Sequence, residues 1–167
     1  MTSGVPRIEI IEAAAAEAPV VERLLQLYQY DFSEIEGGVV DDTGTYRYTS
    51  LHGYWAEPEH HAFLVRVDGE LAGLVLVKPA WPGLAEPGTR LVDEFFVMRK
   101  YRRRGVGRDI AQRIFDRLPG KWVLQETPHN VAAQAFWRGV LGKYTGGRFE
   151  DVIVEGRPTQ RFDSVAH

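Results

Sequence analysis

The chain has 167 residues, of which 44% are hydrophobic and 26% charged, which is ordinary for one globular domain with a full-sized core. Its net charge of −3 makes nucleic acid a distant choice of partner, and the absence of cysteine excludes disulfides and cysteine nucleophiles. We see no signal peptide and no apolar stretch that could span a bilayer. We therefore expect a cytoplasmic protein with one domain over residues 1–167 and no membrane partner.

The hydrophobic pattern predicts strands alternating with helices. In chain order these are a strand (RIEIIEA), a helix (PVVERLLQLYQYDFSEI), a Gly- and Asp-rich loop, a short helical turn, a hairpin around Asp68-Gly69, and an apolar strand (RLVDEFFVM). Then follow a helix from Val106, a strand (KWVLQE), a helix capped by Asn130 and stopped by Gly142, and a final pair of strands. This order predicts an α/β (α+β) fold in which helices cover a sheet.

A loop rich in arginine and glycine, YRRRGVGRD, joins the apolar strand to the next helix. A helix start presents unpaired N–H groups, and glycine lets the backbone approach a ligand, so the loop predicts an anion site, most often for phosphate. The Walker pattern is not met, and Ile110 stands where the dinucleotide fingerprint needs a third glycine. A solvated basic helix start remains the alternative.

Two sequence blocks resemble the GNAT superfamily of acyl-CoA-dependent N-acetyltransferases. The pyrophosphate motif of that superfamily, Arg/Gln-x-x-Gly-x-Gly/Ala, is matched by Arg102, Gly105 and Gly107. The helix that follows the next strand there reads roughly Asn-x-x-Ala-x-x-Phe-Tyr, and the matching residues here are Asn130, Ala133, Phe136 and Trp137. The blocks cover roughly residues 91–142 and also resemble a little-characterised bacterial subgroup of predicted acetyltransferases.

The resemblance implies a single-domain fold with a mixed, mostly antiparallel sheet of about seven strands, helices on both faces, and a splayed V between two central strands. It implies acetyl-CoA as cosubstrate and direct transfer of the acetyl group to a primary amine in a ternary complex. Backbone N–H groups of the loop would hold the pyrophosphate, and the strand end would pair with the pantetheine arm. The cofactor-binding residues implied are Phe95, Phe96, Val97, Arg102, Arg103, Arg104, Gly105, Val106, Gly107, Arg108, Asn130, Ala133 and Phe136.

Glu94 is the candidate general base. It lies three residues before Val97 in an apolar run, so strand alternation puts the two side chains on opposite faces, and Asp93 is expected to face away from Glu94. Burial would raise the pKa of Glu94 into a useful range. The alternative is a structural carboxylate paired with Arg90. Because Trp137 replaces the tyrosine of the superfamily pattern, Tyr144 is the candidate general acid, with water or reduced activity as the alternatives, and Tyr144 could equally be a packing residue.

The acceptor site is expected to come from the N-terminal half, where aromatic and acidic residues are mixed. The candidate substrate-binding residues are Tyr28, Asp31, Tyr54 and Trp55. Such a mixture suits a small cationic amine rather than a peptide amine, and an ordinary aromatic core with a solvated acidic loop is the alternative. The histidines show no metal spacing, so no metal is expected. A non-catalytic acyl-CoA-binding module is the second functional hypothesis, and a homodimer is left open.

Overall fold

The structure is a computed structural model that describes residues 4–48 and 51–164. Its strands are β1 (Ile8–Glu12), β2 (His61–Val67), β3 (Glu70–Pro79), β4 (Arg90–Val97), β5 (Lys121–Gln125), β6 (Glu150–Val154) and β7 (Arg157–Asp163). Its α-helices are α1 (Ala18–Glu36), α2 (Gly53–Ala56), α3 (Val106–Arg117) and α4 (Val131–Tyr144). The predicted alternation of strands and helices is confirmed.

The strands form one sheet with the order β1-β2-β3-β4-β5-β7-β6. Neighbours are antiparallel except for β4 and β5, which are parallel and pair only at Arg90–Trp122 and Leu91–Val123. Beyond these two pairs the strands separate and leave a V that opens toward their carboxyl ends. The predicted fold class, including the V between the central strands, is therefore confirmed.

Helices cover both faces of the sheet, and each face has its own apolar cluster. On the α3–α4 face, Phe115 and Leu141 pack with strand residues such as Trp122. On the α1 face, helix residues such as Leu25 pack with Leu74, Leu76 and Phe96 of the sheet. Burial of these side chains is the main favourable contribution to folding. Successive residues of β4 therefore lie beneath different helices.

A β-bulge interrupts the alternation of β4. Leu76 pairs with Glu94, whereas the next residue, Val77, pairs with Val92, so Asp93 is an extra residue in the strand. Val92 remains in the cluster of the α3–α4 face. The bulge consequently presents two successive carboxylates, Asp93 and Glu94, to the α1 face.

The end of β4 comes unusually close to β3. A Cβ built on Gly73 would lie 2.0 Å from the carbonyl oxygen of Phe96, so only glycine fits there.

The predicted stop of helix α4 at Gly142 is wrong. The helix continues to Tyr144 because its buried face includes Leu141 and Tyr144, and the left-handed residues that follow are Gly146 and Gly147.

Candidate active site

The predicted anion site lies at the start of α3, directly after β4 and a short 3-10 turn. Gly105 precedes the helix with a φ of +75°, a left-handed conformation that favours glycine, and no side chain caps the helix. The first-turn N–H groups, of Val106, Gly107 and Arg108, have no intrahelical partner. Arg103, Arg104 and Arg108, which adjoin these groups in the sequence, are exposed. This arrangement fits a pyrophosphate group.

Gly107 lets the start of α3 pack closely against α4. A Cβ at this position would lie 3.2 Å from the ring of Phe136, tighter than ordinary van der Waals contact. The Phe136 ring lies 5.8 Å from that of Phe95 and 4.9 Å from that of Trp137. The structure thus brings Phe95, Gly107 and Phe136, all predicted to bind the cofactor, together on the α3–α4 face. Trp137 is a buried packing residue here.

Arg102 differs from the rest of the loop because several of its donors already have partners within the protein. Its backbone N–H donates to the carbonyl of Arg99 at 3.2 Å, and its Nε donates to the carbonyl of Val97 at 2.7 Å. Its Nη2 donates to Asp31 of α1. The backbone N–H of Arg102, predicted to hold the pyrophosphate, is thus already bonded to Arg99, and the prediction that Arg102 binds the cofactor gains no support from this geometry.

Asp31, predicted to bind the acceptor, is held by two arginines of the loop instead. Its Oδ1 accepts from Arg99 Nε at 2.8 Å and its Oδ2 from Arg102 Nη2. Although partial burial alone would raise it, these hydrogen bonds hold the pKa of Asp31 below its usual value. The acidic stretch around Asp31 gave no sign of this role, because its partners are distant in sequence.

Glu94 lies on the diverging part of β4, on the α1 face. The hydroxyl groups of Tyr28 and Tyr48 donate to its carboxylate, the latter at 3.1 Å. Burial, followed by the nearby charge of Asp93, raises the pKa of Glu94 to about 7, although the tyrosine hydrogen bonds oppose the increase. Arg90 is not the partner of Glu94, because it donates to the carbonyls of Leu118 and Pro119.

Asp93 lies beside Glu94, and the prediction that it faces away is wrong because of the bulge. Its carboxylate accepts from the hydroxyl of Tyr54 and lies 3.0 Å from the ammonium of Lys78. Tyr54, predicted to bind substrate, thus belongs to the same cluster as Tyr28. Burial raises the pKa of both tyrosines, so neither hydroxyl ionises near neutral pH.

Trp55, the fourth predicted acceptor residue, makes its hydrogen bond to the backbone and not to either carboxylate. Its indole N–H donates to the carbonyl of Ala13 at 2.9 Å, and its ring packs against the apolar cluster beneath α1. We therefore interpret Trp55 as a structural residue that fastens α2 to the segment after β1.

Tyr144, the predicted general acid, lies on the face of the sheet opposite to Glu94 and is already hydrogen bonded. Its hydroxyl donates to Asp116 at 2.6 Å, and its ring packs against Phe115 and Phe162 on the α3–α4 face. Asp116 lies near the end of α3, away from its first turn, so the geometry gives no support to the role of general acid, which stays a prediction. Asn130, by contrast, caps α4 as the sequence indicates, since its Oδ1 accepts from the N–H of Ala133 at 3.1 Å.

Comparison with known proteins identifies the family to which the chain belongs. The sequence matches the family model described as "Acetyltransferase (GNAT) family" over residues 21–142, well over half of the chain. An open V beside an uncapped helix start is the architecture of an acyl-CoA N-acyltransferase. The chain belongs to the acetyltransferase (GNAT) family, and its cosubstrate is acetyl-CoA. The prediction from the two sequence blocks is confirmed.

Solved structures share the fold at low sequence identity. An acetyltransferase from Thermus thermophilus is 19% identical with a TM-score of 0.71, covering 95% of this chain and 98% of that one. A putative streptothricin acetyltransferase from Bacillus anthracis, solved with acetyl coenzyme A, is 17% identical with a TM-score of 0.54 (94% and 98% covered). The ribosomal-protein-S18-alanine N-acetyltransferase from Escherichia coli is 12% identical with a TM-score of 0.61 (94% of each). A search of curated proteins gave no match.

Proposed function

We propose that this acetyltransferase acts on the primary amine of a small molecule, with Glu94 as its general base. The observation that carries the proposal is a buried carboxylate on the diverging part of β4, held by two tyrosine hydroxyl groups. Acetyl-CoA supplies the acetyl group as an activated thioester. The amine must lose a proton to react, and a carboxylate whose pKa is about 7 can accept it near neutral pH.

Different parts of the chain would hold the two ends of acetyl-CoA. The unpaired N–H groups at the start of α3 and the exposed side chains of Arg103, Arg104 and Arg108 would bind the pyrophosphate. Beyond Leu91, the edge of β4 that faces the V has no strand partner among the described residues. Backbone groups of Phe95, Phe96 and Val97 would pair there with the pantetheine arm.

The acceptor would bind on the α1 face, beside Tyr28, Tyr54 and Glu94. Aromatic rings and carboxylates together attract a small cation. The helix α1 also contacts the loops that follow both diverging strands, through Asp31 to Arg102 and through Glu36, which accepts from the Thr127 hydroxyl at 2.5 Å. A helix fixed across the wide end of the V favours a small acceptor over a peptide.

The second functional candidate is a non-catalytic acyl-CoA-binding module. It is favoured by Trp137 at the usual tyrosine position and by the hydrogen bond that Tyr144 donates to Asp116. A general acid is nevertheless not essential, because a thiol with a pKa of about 8–9 leaves readily. Binding alone also gives no reason for a buried carboxylate at this point of β4. Cytoplasmic location and homodimer formation stay predictions.

Calorimetric titration with acetyl-CoA and with CoA tests the proposal first. We expect micromolar binding that Gly105→Glu abolishes, because the new carboxylate repels the pyrophosphate at a left-handed position. Gly156→Glu is the matched control, since Gly156 has a similar φ of +76° in the β6–β7 turn. Absence of binding by the native protein would refute the assignment of the loop.

A panel of acceptors then tests the substrate class by release of free thiol. The panel contains arylalkylamines, aliphatic diamines and short peptides with a free amino terminus. We expect at least one small amine to react faster than every peptide. Faster reaction with the peptides would reverse the proposed class, and reaction with none would favour the binding module.

A further inference from the structure

Asp31 links helix α1 to the segment between β4 and α3 through hydrogen bonds that have no role in the proposed reaction. Its side chain is only 22% exposed, and its two oxygens accept from different arginines, Arg99 and Arg102. Charge-assisted hydrogen bonds of this kind are stronger than neutral ones. Two arginines that precede the phosphate site are thus tied to a carboxylate of α1.

Arg102 extends the network to the end of β4. Its Nε donates to the carbonyl of Val97 at 2.7 Å, and its guanidinium lies 5.9 Å from the centre of the Phe96 ring. The Phe96 ring in turn packs edge-on against Tyr28, 5.5 Å away, and Tyr28 donates to Glu94. One guanidinium therefore contacts the last two residues of β4 and α1 at once.

We propose that Asp31 is a positioning residue for acetyl-CoA, which acts by holding Arg102 against the end of β4. Arg102 then shapes the strand end and the loop without contacting the cofactor phosphates itself. The proposal rests on the proposed function, since it requires the start of α3 to bind the pyrophosphate. It gives separate roles to neighbouring arginines of one motif.

Geometry distinguishes this role from that of a direct phosphate ligand. The planar guanidinium of Arg102 has its Nε edge on Val97 and one terminal nitrogen on Asp31, so rotation toward the start of α3 would break both bonds. Arg103, Arg104 and Arg108 make no hydrogen bond to the end of β4 among the described residues. If Arg102 holds the loop and the end of β4 in place before CoA binds, less conformational entropy of the backbone is lost on binding, and the affinity is higher.

A double-mutant cycle measured by calorimetric titration with CoA tests the proposal. Asp31→Asn and Arg102→Gln should each weaken CoA binding by about tenfold, and the double variant should be no weaker than either single variant. The matched control is Glu34→Gln, which removes the same charge from the same helix. The Glu34 side chain is 82% exposed and lies 4.0 Å from Arg99, so CoA affinity should stay unchanged.

Several outcomes would overturn the proposal. If Arg102 were a phosphate ligand, Arg102→Gln would weaken binding whereas Asp31→Asn would leave it unchanged or tighten it. A merely structural contact would lower the melting temperature of both variants and leave the dissociation constant for CoA unaltered. Native protein that binds no CoA would refute the proposed function itself, which is a different result from native binding with unaffected variants.

Arg102→Lys gives a second test that does not depend on loss of charge. Lysine keeps the positive charge, but a single ammonium cannot span the Val97 carbonyl and Asp31 as the guanidinium does. We expect it to weaken CoA binding as much as Arg102→Gln does. Affinity equal to that of the native protein would contradict the positioning role.

Discussion

Glu94 and Glu126 lie on opposite faces of the sheet, and burial raises the pKa of each to about 7. Glu94 receives hydrogen bonds from Tyr28 and Tyr48. Both carboxylate oxygens of Glu126 are buried without a hydrogen bond of normal geometry among the described residues, and the neighbouring Gln160 amide only partly offsets the rise in pKa. The same shift in pKa therefore arises in two very different surroundings.

The difference shows that a raised pKa reports burial rather than function. Glu126 follows β5 and lies on the α3–α4 face, where the amide of Gln160 donates to Asp151 at 3.2 Å. A protonated Glu126 could donate to Oε1 of Gln160 and satisfy both groups. Glu94 is distinguished by its donors and by its position on the diverging part of β4, which an acceptor can approach.

The largest expected effect separates the two carboxylates by activity. Glu94→Gln keeps the shape of the side chain but cannot accept a proton, so turnover should fall by about 10²–10⁴-fold with CoA affinity unchanged. The matched Glu126→Gln variant should retain turnover within a factor of about three, because Glu126 lies on the other face. Steady-state kinetics with the best acceptor measure both. Equal losses in the two variants would remove the distinction.

The next effect concerns stability against pH. The folded-state pKa of Glu126, about 7, exceeds the ordinary value of 4.5, so its contribution is present below pH 4.5 and is lost as the pH rises through 7. Since one pKa unit corresponds to about 1.4 kcal/mol, ionisation costs the folded state of the order of 3 kcal/mol. Urea unfolding from pH 5 to 8 should show a smaller decline for Glu126→Gln than for the native protein. An identical decline would mean that Glu126 stays uncharged or finds a partner.

The smallest expected effect tests the tyrosine donors of Glu94. Tyr48→Phe removes a hydrogen bond that lowers the pKa of Glu94. The pH at which kcat/KM reaches half of its maximum should therefore increase, by less than about one pH unit. Turnover at pH 7 should consequently fall less than about tenfold. Tyr144→Phe is the control, since its hydroxyl donates to Asp116 and its removal should leave the profile unmoved. A downward shift for Tyr48→Phe would contradict the geometry.

Much of the fold and the backbone geometry of the loop before α3 could be predicted because their signals are local in the sequence. The alternation of apolar residues located the helices and strands, and Gly105, Gly107 and Asn130 carry conformations or caps that short motifs encode. The V between β4 and β5 followed from the resemblance, since nothing in either strand alone indicates where their pairing ends.

The acceptor side was less predictable because it depends on contacts between distant residues. The bulge at Asp93 is set by the register of β3 against β4, and alternation in β4 alone gives the wrong face. The arginine partners of Asp31 lie 68 and 71 positions away in the sequence, so the sequence around Asp31 gave no reason to pair it with them. Asp31 was therefore assigned to the acceptor. Tyr144 was chosen by its distance from Trp137 along the chain, which carries no information about the face of the sheet.

The two residue pairs between β4 and β5 divide the sheet into two parts that are also consecutive in the chain. Strands β1 to β4 all precede residue 98, and strands β5 to β7 all follow residue 120. A nick between Arg117 and Lys121 would therefore leave every antiparallel strand pair inside one fragment or the other. Reassembly of such fragments would depend on two backbone pairs and on the packing of the helices. The line along which the sheet opens is thus also a line along which the chain can be divided without separating any antiparallel strand pair.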